Sequence, residues 1–350
     1  MHIRIRGTSK MIKTYTRSFF KKFPLIFYLF TLMLLSANIC LVPAQAPTTP
    51  KIAFAAAPNE NWDVLLMNPD GTQQLNLTNH PAVDRSPVWS PTGEHILFAS
   101  DRDRFQGSTD LYLMNPDGSD VRRVFGKSKD RSTPSWSPDG TQIAYNSLEQ
   151  GQWIIYIGTV DGKKEERVAF GGGPIWSPDG TEIAFTVGWP ERIRISVLNV
   201  ETGRQKFLFP PEAQPSWMEK MAWSPTGDRL AFSWLHRVPL KDFLETQTIY
   251  TISRDGTGLK QIVPEGGLRA VGPVWSPDGS MLLYQQLIMD EALEKRRWQI
   301  FKVATIGGES IKVGPPGWYS LGDWFDPAFA LPVSPQSQLL TTLWGKMKEK

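Results

Sequence analysis

The chain has 350 residues, 38 basic and 35 acidic, but residues 1–46 hold seven of the basic ones and none of the acidic ones, which leaves 31 against 35 in the remainder. The apparent basicity therefore belongs to the leader, and the body lacks the electrostatic footprint of a nucleic-acid binder. The single cysteine, Cys40, also lies in the leader. The body thus has neither disulfides nor a thiol nucleophile and must draw its stability from buried area, for which about 300 residues suffice.

Arg4, Arg6, Lys10, Lys13, Arg17, Lys21 and Lys22 form a basic region without an acid, and from Phe23 the chain carries no charge until Lys51. The most apolar part, Leu25 to Leu35, is followed by Ala44-Gln45-Ala46, a small-x-small cleavage site. This is the layout of a secretory signal. Residues 1–46 are expected to be a signal peptide or an N-terminal membrane anchor, since the uncharged run is long enough to span a bilayer. Ile39 stands before Cys40, where lipid attachment wants a small residue. The expected location is the periplasm or the cell exterior, with the body either free or tethered at its N-terminus.

The body is organised by a repeated Trp-Ser-Pro-Asp/Thr-Gly. Its copies begin at Trp89, Trp136, Trp176, Trp223 and Trp275, and a decayed sixth stands at Asp323-Trp324-Phe325-Asp326-Pro327. The steps between tryptophans are 47, 40, 47, 52 and 49 residues, the range of a propeller blade or solenoid unit. Each unit reads as four short strands. The first ends at the tryptophan, and Ser-Pro-Asp/Thr-Gly turns the chain, proline fixing φ and glycine supplying φ > 0. The second is an apolar run such as Ile96-Leu97-Phe98-Ala99 or Ile183-Ala184-Phe185, and the third one such as Leu111-Tyr112-Leu113-Met114 or Trp153-Ile154-Ile155-Tyr156-Ile157. A second tight turn follows, as in Asn115-Pro116-Asp117-Gly118, and then a short polar fourth strand, as in Val121-Arg122-Arg123-Val124. Runs that are apolar throughout suit sheets covered on both faces by neighbouring sheets, which a ring of blades provides.

The two ends of the body complete the ring. Residues 51–78 supply strands two, three and four of a unit without its first, and 320–326 supply a first strand without the rest. The predicted fold is an all-β, six-bladed propeller of four-stranded antiparallel blades over residues 47–327, closed by pairing those two segments. Residues 328–350 form a tail. Leu339, Leu340, Leu343, Trp344 and Met347 lie at helical spacing with lysines between, which predicts a short amphipathic helix covering the rim or engaging a partner or membrane surface.

Pro-x-Trp-Ser-Pro-Asp-Gly-x-x-Ile-Ala-Phe, followed by Leu-Tyr-x-Met-Asn-Pro-Asp-Gly, resembles the repeat of TolB-like six-bladed β-propellers. Leu77-Thr78-Asn79-His80 leading to Asp84 and Pro87-Val88-Trp89 is similar as well. The resemblance covers roughly residues 51–327. The domain that TolB carries ahead of its propeller has no expected counterpart between Ala46 and Lys51, and the Gly-x-Ser-x-Gly elbow of propeller-bearing serine peptidases is missing.

Antiparallel strands alternate ends, so the Trp-Ser-Pro-Asp-Gly and Asn-Pro-Asp-Gly turns share one uniform face. The second-to-third connections and the links between blades share the other, irregular one. Binding sites favour variable loops on a rigid scaffold, so candidates are sought on the irregular face and at its channel mouth. The links contribute His80, Asp84 and Arg85, then Asp130 and Arg131, then Trp217, Glu219 and Lys220, then Arg269. The second-to-third connections contribute Asp101, Arg102 and Asp103, then Trp189 and Arg192, then His236 and Arg237 within an insertion from His236 to Glu245. A further insertion runs from Ile288 to Arg297, with Glu291-Ala292-Leu293-Glu294 predicted as a helical turn.

Asp101-x-Asp103 lacks the later glutamate of a calcium loop, and His80, His95 and His236 have no metal-ligand spacing, so neither metal nor cofactor is expected. The repeated tryptophan and aspartate read as structural, one filling the space between blades and the other capping a turn. The leading expectation is an exported, monomeric, non-enzymatic scaffold that binds a protein or cell-envelope component through the irregular face, with no nucleic-acid partner. The alternative is a small-substrate enzyme, a carbohydrate lyase or hydrolase, at the channel mouth. Convergence there of His80, Asp84, His236 and neighbouring acids would favour the enzyme, and a diffuse polar ring the scaffold.

Overall fold

The computed structural model describes residues 45–332, apart from 59–60, 104–107, 128, 189–192, 210–216, 236–246, 265–267 and 291–292, and describes Trp217 and Glu219 through their backbone alone. Six four-stranded antiparallel sheets form a propeller. Blade 2 runs Asp84–Trp89, Ile96–Ser100, Asp110–Met114, Arg122–Arg123, and blade 3 runs Arg131–Trp136, Gln142–Glu149, Gln152–Thr159, Glu165–Phe170. Blade 4 runs Gly172–Trp176, Glu182–Val187, Arg194–Asn199, Gln205–Phe207, and blade 5 runs Trp217–Trp223, Arg229–Leu235, Thr248–Ser253, Lys260–Gln261. Blade 6 runs Ala270–Trp275, Met281–Asp290, Lys295–Ala304, Ile311–Gly317. Blade 1 joins the two ends of the body: Tyr319–Phe325 pairs with Lys51–Ala56, followed by Asp63–Met67 and Leu75–Asn76. Its register sets Ile52 opposite Trp324 and Ala56 opposite Tyr319. The ring closure read from the sequence is thus present, and it leaves no inner strand unpaired.

The first strand of each blade is innermost, and these six strands touch one another around a central channel. Second and third strands are buried on both sides, as in Ile96–Ser100 and Asp110–Met114, because each sheet is sandwiched between its neighbours. The fourth strands form the exposed outer edges; Leu75–Asn76, Lys260–Gln261 and Gln205–Phe207 are wholly exposed. Short polar edges of this kind resist pairing with other chains.

The repeated motif owes its composition to the contacts of one turn. Ser177 Oγ accepts from Glu182 N at 2.9 Å and donates to Asp179 Oδ1 at 2.6 Å, while Asp179 Oδ1 also accepts from Thr181 N at 3.0 Å. Gly180 has φ +73°, and a Cβ there would stand 3.2 Å from Pro138 Cγ in the turn of the preceding blade. The turns therefore tile against one another around the uniform face. Trp176 fills the space beneath them, packed with Ile183, Phe185 and, from blade 3, Ala144 and Ile155.

The insertion in blade 6 differs from the prediction. Met281–Asp290 and Lys295–Ala304 are ten-residue strands paired along their full length, so Ile288 to Arg297 extends the hairpin rather than forming a separate loop. Leu293 and Glu294 lie in a turn, with Leu293 N bonded to Asp290 O at 3.3 Å; Glu291 and Ala292 are outside the described residues. In the tail, Pro327–Phe329 forms one 3-10 turn capped by Asp326, and the predicted amphipathic helix lies outside the described residues.

Candidate functional site

Each first strand carries a β-bulge at mid-length. In blade 3, Ser132 pairs with Asn146 and Ser135 with Ala144, so Thr133 and Pro134 together oppose one residue. The same shift puts Ser86 and Pro87, Gly173 and Pro174, and Gly272 and Pro273 at the equivalent places of blades 2, 4 and 6. In blade 5 the extra residue is Lys220, and in blade 1 it is Gly322. The backbone at the bulge is left-handed: φ is +54° at Ser86, +47° at Thr133, +61° at Gly173, +37° at Lys220 and +69° at Gly272. A bulge re-aims the side chain it carries. Here all six residues line a cavity of about 690 Å³ in the channel.

The bulge frees a backbone N–H from its own sheet, and the preceding blade accepts it. Asn146 Oδ1 takes Gly173 N at 3.2 Å, Ser233 Oγ takes Gly272 N at 3.2 Å, and Gln285 Oε1 takes Leu321 N at 3.0 Å. Asn146 also donates to Ser132 Oγ at 2.9 Å and bonds Thr133 Oγ1. The mouth is thereby stitched from blade to blade. A non-glycine residue at such a φ costs roughly 1–3 kcal/mol, and at Thr133 the bond to Asn146 helps to hold it there.

The wall on the blade 3 side is aromatic. Gln142–Glu149 and Gln152–Thr159 are eight residues long against five in blade 2, and the longer hairpin carries Trp153 opposite Leu148 beside the cavity. Trp153 lies over Gly172, whose added Cβ would be 3.9 Å from the indole. Phe170 follows, 58% exposed, with the Arg167 guanidinium 4.3 Å above its ring. Across the mouth, Lys220 runs over Gly272, where a Cβ would stand 3.4 Å from Lys220 Cδ. Lys220 Nζ donates to Ser320 Oγ at 2.7 Å and approaches Leu321 O at 3.5 Å. It is the one charged side chain among the described residues lining this cavity; the rest are apolar, hydroxyl or amide groups.

The opposite end of the channel is different. A cavity of about 380 Å³ is lined by Trp89, Trp136, Trp176, Trp223, Trp275 and Trp324, together with the prolines of the motif. Asp323 sits among them, accepting from Trp89 N at 3.1 Å and Trp324 N at 2.8 Å, and burial pushes its carboxyl up.

Of the residues singled out from the sequence and described, Lys220 lines the mouth cavity, and the others fall into separate groups away from it. Asp84 is buried and paired with Arg102 Nη2 at 2.9 Å; burial pushes its carboxyl up, against the pull of Ser100 and Arg102. Asp101 Oδ1 accepts from Val83 N at 2.8 Å, so Asp84, Asp101 and Arg102 tie one link between blades 1 and 2. Asp103 accepts from Tyr112 OH at 2.5 Å, a bond that helps burial raise the phenol pKa. Arg85 lies 4.5 Å over Trp62, and His80 closes a turn, its Nδ1 accepting from Ala82 N at 3.1 Å.

Asp130 caps Thr109 N at 3.2 Å. Arg131, 0% exposed, bonds Asp110 at 2.8 Å and Glu165 at 2.5 Å between blades 2 and 3. Arg269 Nε donates to Gln247 Oε1 at 2.5 Å. The backbones of Trp217 and Glu219 belong to the first strand of blade 5, whereas Trp189, Arg192, His236 and Arg237 lie outside the described residues. His80 and Asp84 do not meet at the mouth, and among the described residues no three metal-ligating side chains come together.

The residues that do line the mouth were present in the sequence as strand or link residues. The signal for them is the position before Pro-x-Trp, which reads Ser86, Thr133, Gly173 and Gly272 in four copies and Lys220 before Met221-Ala222-Trp223 in the other.

Six four-stranded blades closed around a central channel define a six-bladed β-propeller. The TolB beta propeller domain family matches residues 35–171 and 104–217, more than half of the chain. The chain belongs to this family. TolB from Acinetobacter baumannii is similar in structure, with TM-score 0.65 at 18% identity over 81% of this chain and 68% of that one. Putative TolB from Agrobacterium tumefaciens gives 0.59 at 17% identity over 82% and 100%, and a chain of the Nidogen/Laminin complex gives 0.59 at 10% over 79% and 97%. No curated protein matches by sequence.

Proposed function

We propose that this propeller is an exported, non-enzymatic scaffold that holds a protein or cell-envelope component at the channel mouth of its irregular face. The observation that carries the reading is the composition of that mouth. A cavity of about 690 Å³ with an aromatic wall, Trp153 and Phe170, and a ring of hydroxyls and amides has the build of a binding site, mostly apolar with a few placed polar groups. Trp153 is 36% exposed and Phe170 58%, so they offer area to an incoming surface. The described charged groups named from the sequence around this face, Lys220 aside, tie the links between blades, which supports a rigid frame around the mouth.

Export is part of the proposal and rests on the basic-then-apolar leader and Ala44-Gln45-Ala46. The test is recovery of envelope partners after cross-linking in cells. Trp153→Ala/Phe170→Ala should lose the partners that the wild-type chain retains, while Asp255→Asn on the uniform face should keep them. Equal recovery with the aromatic variant would refute the assignment of the mouth.

A further inference from the structure

We propose that the mouth cavity takes a saccharide, one pyranose ring lying with its C–H face on the Trp153 indole and its rim hydroxyls on the amide and hydroxyl groups nearby. This rests on the reading of the mouth as the binding site and makes the envelope component a glycan. The indole is the open plate of the cavity. The Arg167 guanidinium lies 4.3 Å over the Phe170 ring, whereas no ring or cation among the described residues covers Trp153, which is 36% exposed. Trp153 and Leu148 pair directly, so their side chains share one face of the sheet, the face that packs Ala144 and Ile155 against blade 4. Trp153 thereby reaches the start of blade 4, where the chain reads Gly171-Gly172-Gly173.

Folding does not demand all three glycines. A Cβ at Gly171 would stand 2.6 Å from Phe185 Cδ2 and from Thr186 O, and Gly173 takes φ +61° at the bulge. Gly172 has neither constraint: its φ is not left-handed, and a Cβ there would make ordinary contacts, 3.9 Å from Trp153 and 4.0 Å from Thr186. The same place, four residues before the tryptophan, holds Arg85, Ser132, Glu219, Val271 and Ser320 in the other blades. The missing side chain leaves bare backbone beside the indole, with room for the edge of a ring. The hydrogen-bonding groups around this plate have capacity to spare. Ser86 Oγ, the Gln152 carboxamide and the Trp153 indole N–H, all lining the cavity, hold no side-chain hydrogen bond among the described residues. Ser132 Oγ accepts from Asn146 Nδ2 at 2.9 Å and keeps its own proton to donate. A pyranose offers C–H bonds on its face and hydroxyls that donate and accept at its rim, which matches an apolar plate edged by such groups. An aromatic side chain of a protein partner would stack equally well but would leave those edge groups desolvated and unpaired.

The test titrates the full chain with cellotetraose, maltotetraose and chitotetraose by calorimetry and saturation-transfer NMR, with sorbitol as a polyol that has no ring face. At least one tetrasaccharide should bind, its C–H protons on one ring face moving upfield and taking the strongest saturation, and sorbitol should not bind. Trp153→Ala should weaken binding about ten-fold or more, Trp153→Phe should keep part of it, and Gln152→Ala should cost about five-fold. Trp318→Ala, which removes an indole that is 52% exposed outside the cavity, should change nothing. Urea midpoints like the wild type's would show that each variant folds. No binding of any tetrasaccharide, binding that survives Trp153→Ala, or equal losses from Trp153→Ala and Trp318→Ala would each overturn the proposal. Absence of saccharide binding alongside aromatic-dependent recovery of protein partners would refute this inference alone, and absence of both would refute the site.

Discussion

Arg131 begins the first strand of blade 3 with no exposed surface, stacked 4.3 Å from Phe125 and bonded to Asp110, Glu165 and the Lys127 carbonyl. Replacing it by methionine keeps most of the volume but strands Asp110, which is also 0% exposed and whose Oδ2 has no hydrogen-bond partner among the described residues. Glu165 suffers less, because it keeps the Tyr145 hydroxyl at 2.8 Å and Lys129 at 3.6 Å. Removing one partner of a buried pair costs about 3–5 kcal/mol, a large share of a total stability of roughly 5–15 kcal/mol. Arg131→Met should therefore lower the urea midpoint steeply. The double variant Arg131→Met/Asp110→Leu removes both charges and should regain most of the loss, since apolar replacement of a whole buried pair is often neutral. Equilibrium denaturation followed by tryptophan fluorescence measures both. A single variant within about 1 kcal/mol of wild type, or a double variant worse than the single, would refute the account of this cluster as an uncompensated-charge trap.

Trp176, buried between blades 3 and 4, should cost about 3–5 kcal/mol on replacement by alanine, visible as a lowered melting temperature; an unchanged melting curve would show that the motif tryptophan is dispensable. Gly162 and Gly203 share φ near +70°, but a Cβ at Gly162 would lie 2.1 Å from Val124 O and one at Gly203 would meet nothing within 4 Å. Gly203→Ala should cost the left-handed penalty of about 1–2 kcal/mol, and Gly162→Ala a further 1–3 kcal/mol or so from overpacking, compared by urea midpoints. Hydrogen bonds from Thr72, Ser119, Thr159, Thr257 and Ser276 hold the turn carboxyls of Asp70, Asp117, Asp161, Asp255 and Asp278 below their usual 3.8, Asp161 at about 2. Because the folded values are depressed, the stability these groups give is complete above the unfolded pKa and lost as pH falls through the folded one; Asp84 and Asp323, shifted upward by burial, act in the opposite sense. Burial also holds the His95 imidazole neutral, its pKa below the ordinary 6.5, so a shallow loss should begin as pH falls below about 6.5 and a steeper one should follow between roughly pH 4 and 2 as the turn carboxyls protonate. A urea midpoint that stays level between roughly pH 4 and 2 would refute the assignment to these carboxyls.

What was legible in the sequence follows from how local each interaction is. Ser177, Pro178, Asp179 and Gly180 make their bonds within six residues and against the same turn one blade back, so the motif recurs and announces the disc. The closure of Lys51–Ala56 on Tyr319–Phe325 was legible because two incomplete units sum to one blade. The Arg131–Asp110 pair was not, since its members stand 21 positions apart and each resembles an exposed loop charge until the blades close over it. The residues of the channel mouth were hidden for a different reason. Trp153 sits in a run that reads as an ordinary third strand, and only the extra length of its hairpin lifts it clear of the packed ring. Lys220 was named from the sequence as a link residue, but its place at the bulge shows only against the other copies of its unit, where the same position holds serine, threonine or glycine. In a molecule made of near-identical blades, the shared residues are fixed by the demands of the ring, and a departure such as Lys220, a lysine at φ +37° where blades 4 and 6 carry glycine, can be placed only once the bulges are aligned in space.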